Sequence, residues 1–185
     1  MNENSTDCQV NPEIEKYQAK LNELLDKNSS AIFANYSQGH ARCIIRTFLN
    51  AATQSVVVLS GDFGCEFHQA SDLRAALISA VERGVHVRVI SLGTSDQSVD
   101  RLNELKRNLD ANSPSGHSTF DFRIGVVREG MLVQHYMVVD GRRYRLETAH
   151  ANPAPESVHA EVCCNGEEKA MVLGRSFNAI WTRLS

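Results

Sequence analysis

The order of apolar and polar positions divides this chain into two halves of different character. After Asn11, the residues Ile14, Tyr17, Leu21, Leu24 and Leu25 draw a narrow apolar stripe at helical spacing, with charged residues on the other side. Asn11, Pro12 and Glu13 read as a cap, a first-turn proline and an acidic residue suited to the positive end of a helix, and "DKNSS" ends it. A second helix is predicted over about 37–53, burying Ile44, Ile45, Phe48, Leu49 and Ala52. "SVVVLSGDF" is a continuous β-branched run closed by glycine, which suits a strand buried on both faces. Ser71 is placed to cap the helix "DLRAALISAVERG", which Gly84 closes. "VHVRVIS" is the next strand and "SVDRLNELKRNL" the next helix. A helix between two such strands implies a parallel crossover.

Past the polar loop "DANSPSGHS", the best candidate for a mobile or nicked segment, the apolar period shortens toward two. "TFDFRIGVV", "MLVQHYMVV", "YRLET" and "HAEVCC" are four short strands, the first two joined by the turn "REG". Asn165 and Glu168 have the spacing of a capping box, and Leu173, Phe177, Ile180, Trp181 and Leu184 mark the buried side of a closing helix. The expected fold is α/β: a mixed β-sheet sandwiched by helices, with an extra N-terminal helix. The expected division is a helical extension over residues 1–30 and one domain over residues 31–185. That first helix either lies on the domain or is offered to a second copy or a partner protein.

Composition narrows the function classes. The 185 residues are 42% apolar and 22% charged, ordinary for a globular protein, and long enough to bury a core without disulfides or metals. A net charge of −3 supplies no overall pull toward nucleic acid or anionic membrane, so phosphate binding would need a local patch. "MNENSTDCQVNPEIEKY" lacks the pattern of a secretory signal, and no apolar run nears the ~20 residues of a membrane span. Five cysteines, Cys8, Cys43, Cys65, Cys163 and Cys164, form no CxxC pair, which suggests reduced thiols and a cytoplasmic protein. Cys65 and His68 have a spacing a metal could use, but neighbouring Cys163 and Cys164 point to opposite faces of a strand. No metal and no cofactor is expected.

Candidate chemistry crowds into "VQHYMVVDGRRYRLETAH", residues 133–150, with His135 and His150 among an aspartate, a glutamate and three arginines. Arg142, Arg143 and Arg145, with Arg123 and Arg128 near in sequence, form the concentrated basic region. It reads as a phosphate-binding rim for nucleic acid or a nucleotide, or as a solvated turn balanced by Asp121, Glu129, Asp140 and Glu147. Arg145 and Glu147 share a strand face and can form an ion pair.

The order of elements, "AALISAVERGVHVRVI", "MVVDG" and the closing "FNAIWTRLS" resemble the phospholipase D superfamily over about residues 37–184. That family's signature is histidine, any residue, lysine, four residues and aspartate, then glycine-serine-x-asparagine past a turn. With Asp140 at the aspartate, His135 stands at the lysine and Val133 at the nucleophilic histidine. Glu147 and Thr148 stand at glycine and serine, His150 at asparagine, and Glu161 at a glutamate that orients the histidine. The resemblance implies that His135, Thr148, His150 and Glu161 converge on one pocket, with Glu161 able to bond His135.

In the family one histidine attacks phosphorus and a second protonates the leaving oxygen, and valine can do neither. Small single-motif members resemble homodimers with one site across the twofold axis, so the valine would remove both groups at once. Two readings stay open. The first is a catalytically degenerate domain, a homodimer without membrane contact, that binds a protein or nucleic-acid partner. The second is a metal-independent nuclease or phosphodiesterase with a site rebuilt around His135 and His150.

Overall fold

The computed structural model describes residues 12–65, 67–93, 95–127, 132–149 and 159–184. In chain order the elements are α1 (Pro12–Asp26), β1 (Ile32–Asn35), α2 (Gln38–Ala51), β2 (Ser55–Ser60), α3 (Ser71–Glu82) and β3 (His86–Leu92). They continue with α4 (Asp96–Asn112), β4 (Phe120–Gly125), β5 (Tyr136–Val139), β6 (Arg143–Glu147), β7 (Ala160–Cys163) and α5 (Glu167–Arg183). Among the described residues the strands form one sheet in the order β1-β7-β6-β5-β2-β3-β4. β2, β3 and β4 run parallel, and β5, β6, β7 and β1 add on antiparallel. This is the mixed, helix-sandwiched sheet expected from the alternation of periods.

The β-branched run of β2 is buried on both faces because it sits in the middle of the sheet. Val56 joins Val87, Val89, Met137, Val139 and Val162 in a core closed by α1 to α4. Val57 and Leu59 face the other way and meet Ile90, Tyr144, Leu173 and Phe177 beneath α5. The first helix lies on the domain: Leu21 is buried in the same core as Ile44 and Phe48, and Tyr17 stacks on His40 at 3.8 Å.

Several local expectations need correction. β4 and β5 do not form a hairpin across "REG". β4 is an edge strand on β3, whereas β5 pairs with β2 on the other side. Parallel pairing of three buried strands takes precedence over proximity in sequence, and residues 128–131 lie outside the described residues. The four-residue β1 has too little period to read from sequence and is held by β7. Ser71 is the first helical residue of α3, after Ala70, and makes no cap bond. Asn165 is likewise displaced, because Gly166 occupies the cap of α5. By contrast, Ser37 does cap α2, its side chain accepting from His40 N–H. The polar loop after α4 is tied at its base, where the Asp110 carboxylate accepts from the N–H and hydroxyl of Ser118 at 2.7 Å.

Candidate functional site

β5 and β6 are joined by Asp140, Gly141 and Arg142, and the positive φ values of the first two, 52° and 66°, are those an Asp-Gly hairpin turn requires. The pairing that follows sets Tyr136 against Leu146 and Met137 against Arg145. One step further, Glu147 N–H donates to His135 O at 2.8 Å, so these two side chains share a face. His135 Nδ1 donates to Glu147 Oε2 at 3.2 Å, and Arg145 Nη1 donates to Glu147 Oε1 at 2.5 Å. Arg145 Nε donates to Asn35 Oδ1 at 2.8 Å, and Asn35 is itself fully buried. A single carboxylate therefore bridges an imidazole and a buried guanidinium.

Burial alone would raise the Glu147 carboxyl. The hydrogen bond from His135 and the charge of Arg145 outweigh it and hold the group at about 2. The carboxylate on Nδ1 also sets the tautomer in which Nε2 carries the lone pair. The imidazole lies close to the chain at Gly61, where a Cβ would stand 3.0 Å from His135 Cε1.

These residues form one end of a cavity of about 420 Å³ on the α2–α3 face of the sheet. Its mouth is built by the carboxyl end of β2, with Ser60, Gly61 and Asp62, and by Tyr36 to Gln38 at the start of α2. The loop after β2 is pinned from outside. Asp62 accepts from Ser98 Oγ at 2.7 Å and from Gly64 N–H at 2.9 Å, while Phe63 N–H donates to Ser91 Oγ at 2.9 Å. This wall carries His68, which stacks on Phe63 at 4.5 Å and lies 3.3 Å from Ser60 Oγ through Nε2. Burial first, and then the nearby charge of Arg145, hold His68 down at about 4, so it is neutral at physiological pH.

The expected site residues separate. His135 is in the cavity wall, but Glu161 and Thr148 are on other ground. The pairing of Leu146 with Glu161 and of Tyr144 with Cys163 puts Glu161 on the α5 face, where it bonds Tyr144 and Lys169. Thr148, exposed, continues the alternation of Leu146, and its N–H donates to His159 O. The carboxylate on His135 is Glu147, not Glu161, because cross-strand register decides which side chains meet. His150 lies outside the described residues.

Among the described residues the arginines do not form a rim. Arg145 is 7% exposed and lines the cavity. Arg143 is equally buried, but at the opposite end of the strands, paired with Asp140 at 2.9 Å. Arg142 Nε is buried beside the turn. Arg123 stacks on Trp181 at 4.3 Å, and Arg128 lies outside the described residues. The exposed His117 is absent from the cavity wall. The ion pair of Arg145 and Glu147 is present, and it is the floor of the cavity.

Sequence reasoning missed Asn35, Ser60 and the cavity role of His68. A signal for the last two existed, since "GDFG" ends a buried parallel strand, the place where α/β sheets bind ligands. Among the described residues no helix is long and apolar enough to cross a membrane, and no group of three or more metal-ligating side chains gathers.

No family model matches the sequence, and no curated protein matches it. Solved structures do resemble it. Nuc, a phospholipase D family member from Salmonella typhimurium, aligns with a TM-score of 0.60 at 19% identity, over 82% of this chain and 94% of that one. NucT from Helicobacter pylori aligns at 0.57 and 14% identity, over 82% and 96%. TrmBL2, an archaeal chromatin protein with a novel mode of DNA binding, aligns at 0.60 and 14% identity, over 92% of this chain and 62% of its own.

Proposed function

We propose that this chain, which has the phospholipase D fold, is a binding domain that has given up hydrolysis. The observation that carries this reading is the Arg145–Glu147–His135 chain. A phosphodiester seat needs an uncompensated positive field and a nucleophile. Here the guanidinium is neutralised by Glu147, and the buried Val133 stands where the resemblance puts the attacking histidine. The domain pairs with a second copy and serves a protein or nucleic-acid partner. The DNA binding named for TrmBL2, a structural neighbour, supports the nucleic-acid side of that choice.

One observation favours the alternative. A carboxylate on Nδ1 of an imidazole is the arrangement that orients a general base, so His135 has the support a relocated metal-independent phosphodiesterase would need. One assay separates the two. Purified protein is incubated with single- and double-stranded DNA and RNA in chelator, beside His135→Ala, with its mass in solution measured by light scattering. The binding reading expects no cleavage by either protein and a dimer mass. Cleavage by the wild type that His135→Ala abolishes would replace it with the enzyme reading.

A further inference from the structure

Around the cavity the lining charges are already answered from within the protein. Arg145 is met by Glu147 and Asn35, and Asp62 by Ser98 and the Gly64 N–H. His68, its Nε2 beside Ser60, adds no charge. Between these polar points the walls are apolar and aromatic: Ile45, Leu49, Val58, Leu77, Phe63 and Phe67. The volume of about 420 Å³ fits one small molecule and excludes a folded segment or a duplex. The half-exposed mouth carries Tyr36, a 61% exposed aromatic platform that meets His159 edge-on at 5.3 Å.

We infer that this cavity takes an uncharged, largely apolar aromatic molecule with a hydrogen-bonding edge directed at Ser60, His68 and His135. An anion or a cation entering there would meet charges of both signs, Arg145 and the Glu147 and Asp62 carboxylates, each already bonded within the protein. Either would also lose its water shell against an apolar wall with no new opposite charge to repay it. An aromatic ring keeps the dispersion contacts of Phe63 and Phe67 and stacks under Tyr36. The inference rests on the binding reading above, since a hydrolytic site at this position would select an anionic phosphodiester instead.

The test uses the full chain and three probes sharing one ring: indole, indole-3-acetate and tryptamine, titrated calorimetrically at neutral pH. Indole should bind at least about tenfold more tightly than either charged analogue, a ratio set by the cost of burying one unanswered charge. Two further readouts use the cavity itself. Ile45→Phe, which fills it, should weaken indole about tenfold while leaving the urea transition cooperative. Indole should also slow alkylation of the cavity-lining Cys65 in the wild type, read by mass spectrometry at that residue. This second readout stands even where Ile45→Phe fails to fold. Indole-3-acetate or tryptamine binding as well as indole overturns the inference, and so does Cys65 alkylation unchanged by indole. Cleavage of DNA or RNA lost in His135→Ala overturns the binding reading. An inert, folded protein that ignores indole overturns only the ligand class.

Discussion

Arg143 and Arg145 leave β6 on the same face, two residues apart, and are buried to the same 7% exposure, yet they do different work. Arg143 lies at the turn end of the β5–β6 pair, where Asp140 Oδ2 accepts from it at 2.9 Å. The same carboxylate accepts from the N–H groups of Thr53, Gln54 and Ser55 and from the Thr53 hydroxyl. Burial pushes the Asp140 carboxyl up, but those backbone N–H groups outweigh it and hold the group below the usual carboxylate range. Arg145 lies at the other end, opposite Met137 and so roughly 10 Å along the strands from Asp140, by His135, and its carboxylate partner is shared with that imidazole in an open cavity. One end is a staple in which a single carboxylate gathers five donors. The other is a set of compensated charges with room beside it. Within one pair of strands, the stapled end fixes the register and the open end inherits its geometry.

The largest effect is expected at the staple. Asp140→Ala removes an acceptor from five donors and leaves a buried guanidinium unanswered, with an expected loss of about 4 kcal/mol in urea unfolding. A loss below about 1 kcal/mol would deny the turn end its structural role. At the open end, Glu147→Gln leaves Arg145 with Asn35 as its neutral support and should cost about 3 kcal/mol at pH 7. A stability unchanged by that substitution would mean that solvent in the cavity already screens the pair.

The open end should also be the acid-sensitive one. Glu147, held at about 2, contributes stability that is complete above its unfolded value near 4.5 and lost as pH falls toward 2. His68 is depressed to about 4, so its neutral burial favours the fold above its unfolded value near 6.5, and that advantage is lost between 6.5 and 4. Each window is expected to span about 3 kcal/mol in a series of urea curves. His68→Gln should flatten the upper window and spare the lower, and Glu147→Gln the reverse. The smallest effect is expected at Gly61→Ala. Its new Cβ at 3.0 Å displaces the His135 ring by tenths of an ångström, costs under ~1 kcal/mol, and shifts the imidazole proton resonances. Unshifted resonances would place that ring away from the chain at Gly61.

Much of the fold was legible because period and burial agree. Ile44, Phe48, Leu102 and Leu105 repeat at helical spacing, and β2 and β3 are β-branched runs with a helix between them, hence parallel. The errors fell where a short-range cue met a long-range one. "REG" reads as a hairpin turn, but β2 and β3 separate the strands on either side of it. Ser71 and Asn165 are good cap residues standing next to the true caps, Ala70 and Gly166. In the site, the crowding of His135, Arg145 and Glu147 was visible in sequence, whereas Asn35 and His68, brought from 110 and 67 residues away from His135-side partners such as Arg145 and His135, were not.

By itself the sequence determined which residues are apolar at which period, where an Asp-Gly turn can reverse the chain, and that Val133 brings no nucleophile. These are local properties of side chains and φ angles, readable without knowing what stands opposite. Only the tertiary structure decided that His135 meets Glu147 and not Glu161, that Arg143 is a staple, and that Arg145 is the floor of a cavity. Alternation puts each side chain on one of two faces, but cross-strand register and strand order choose its partners, and those are set by the burial of the whole sheet.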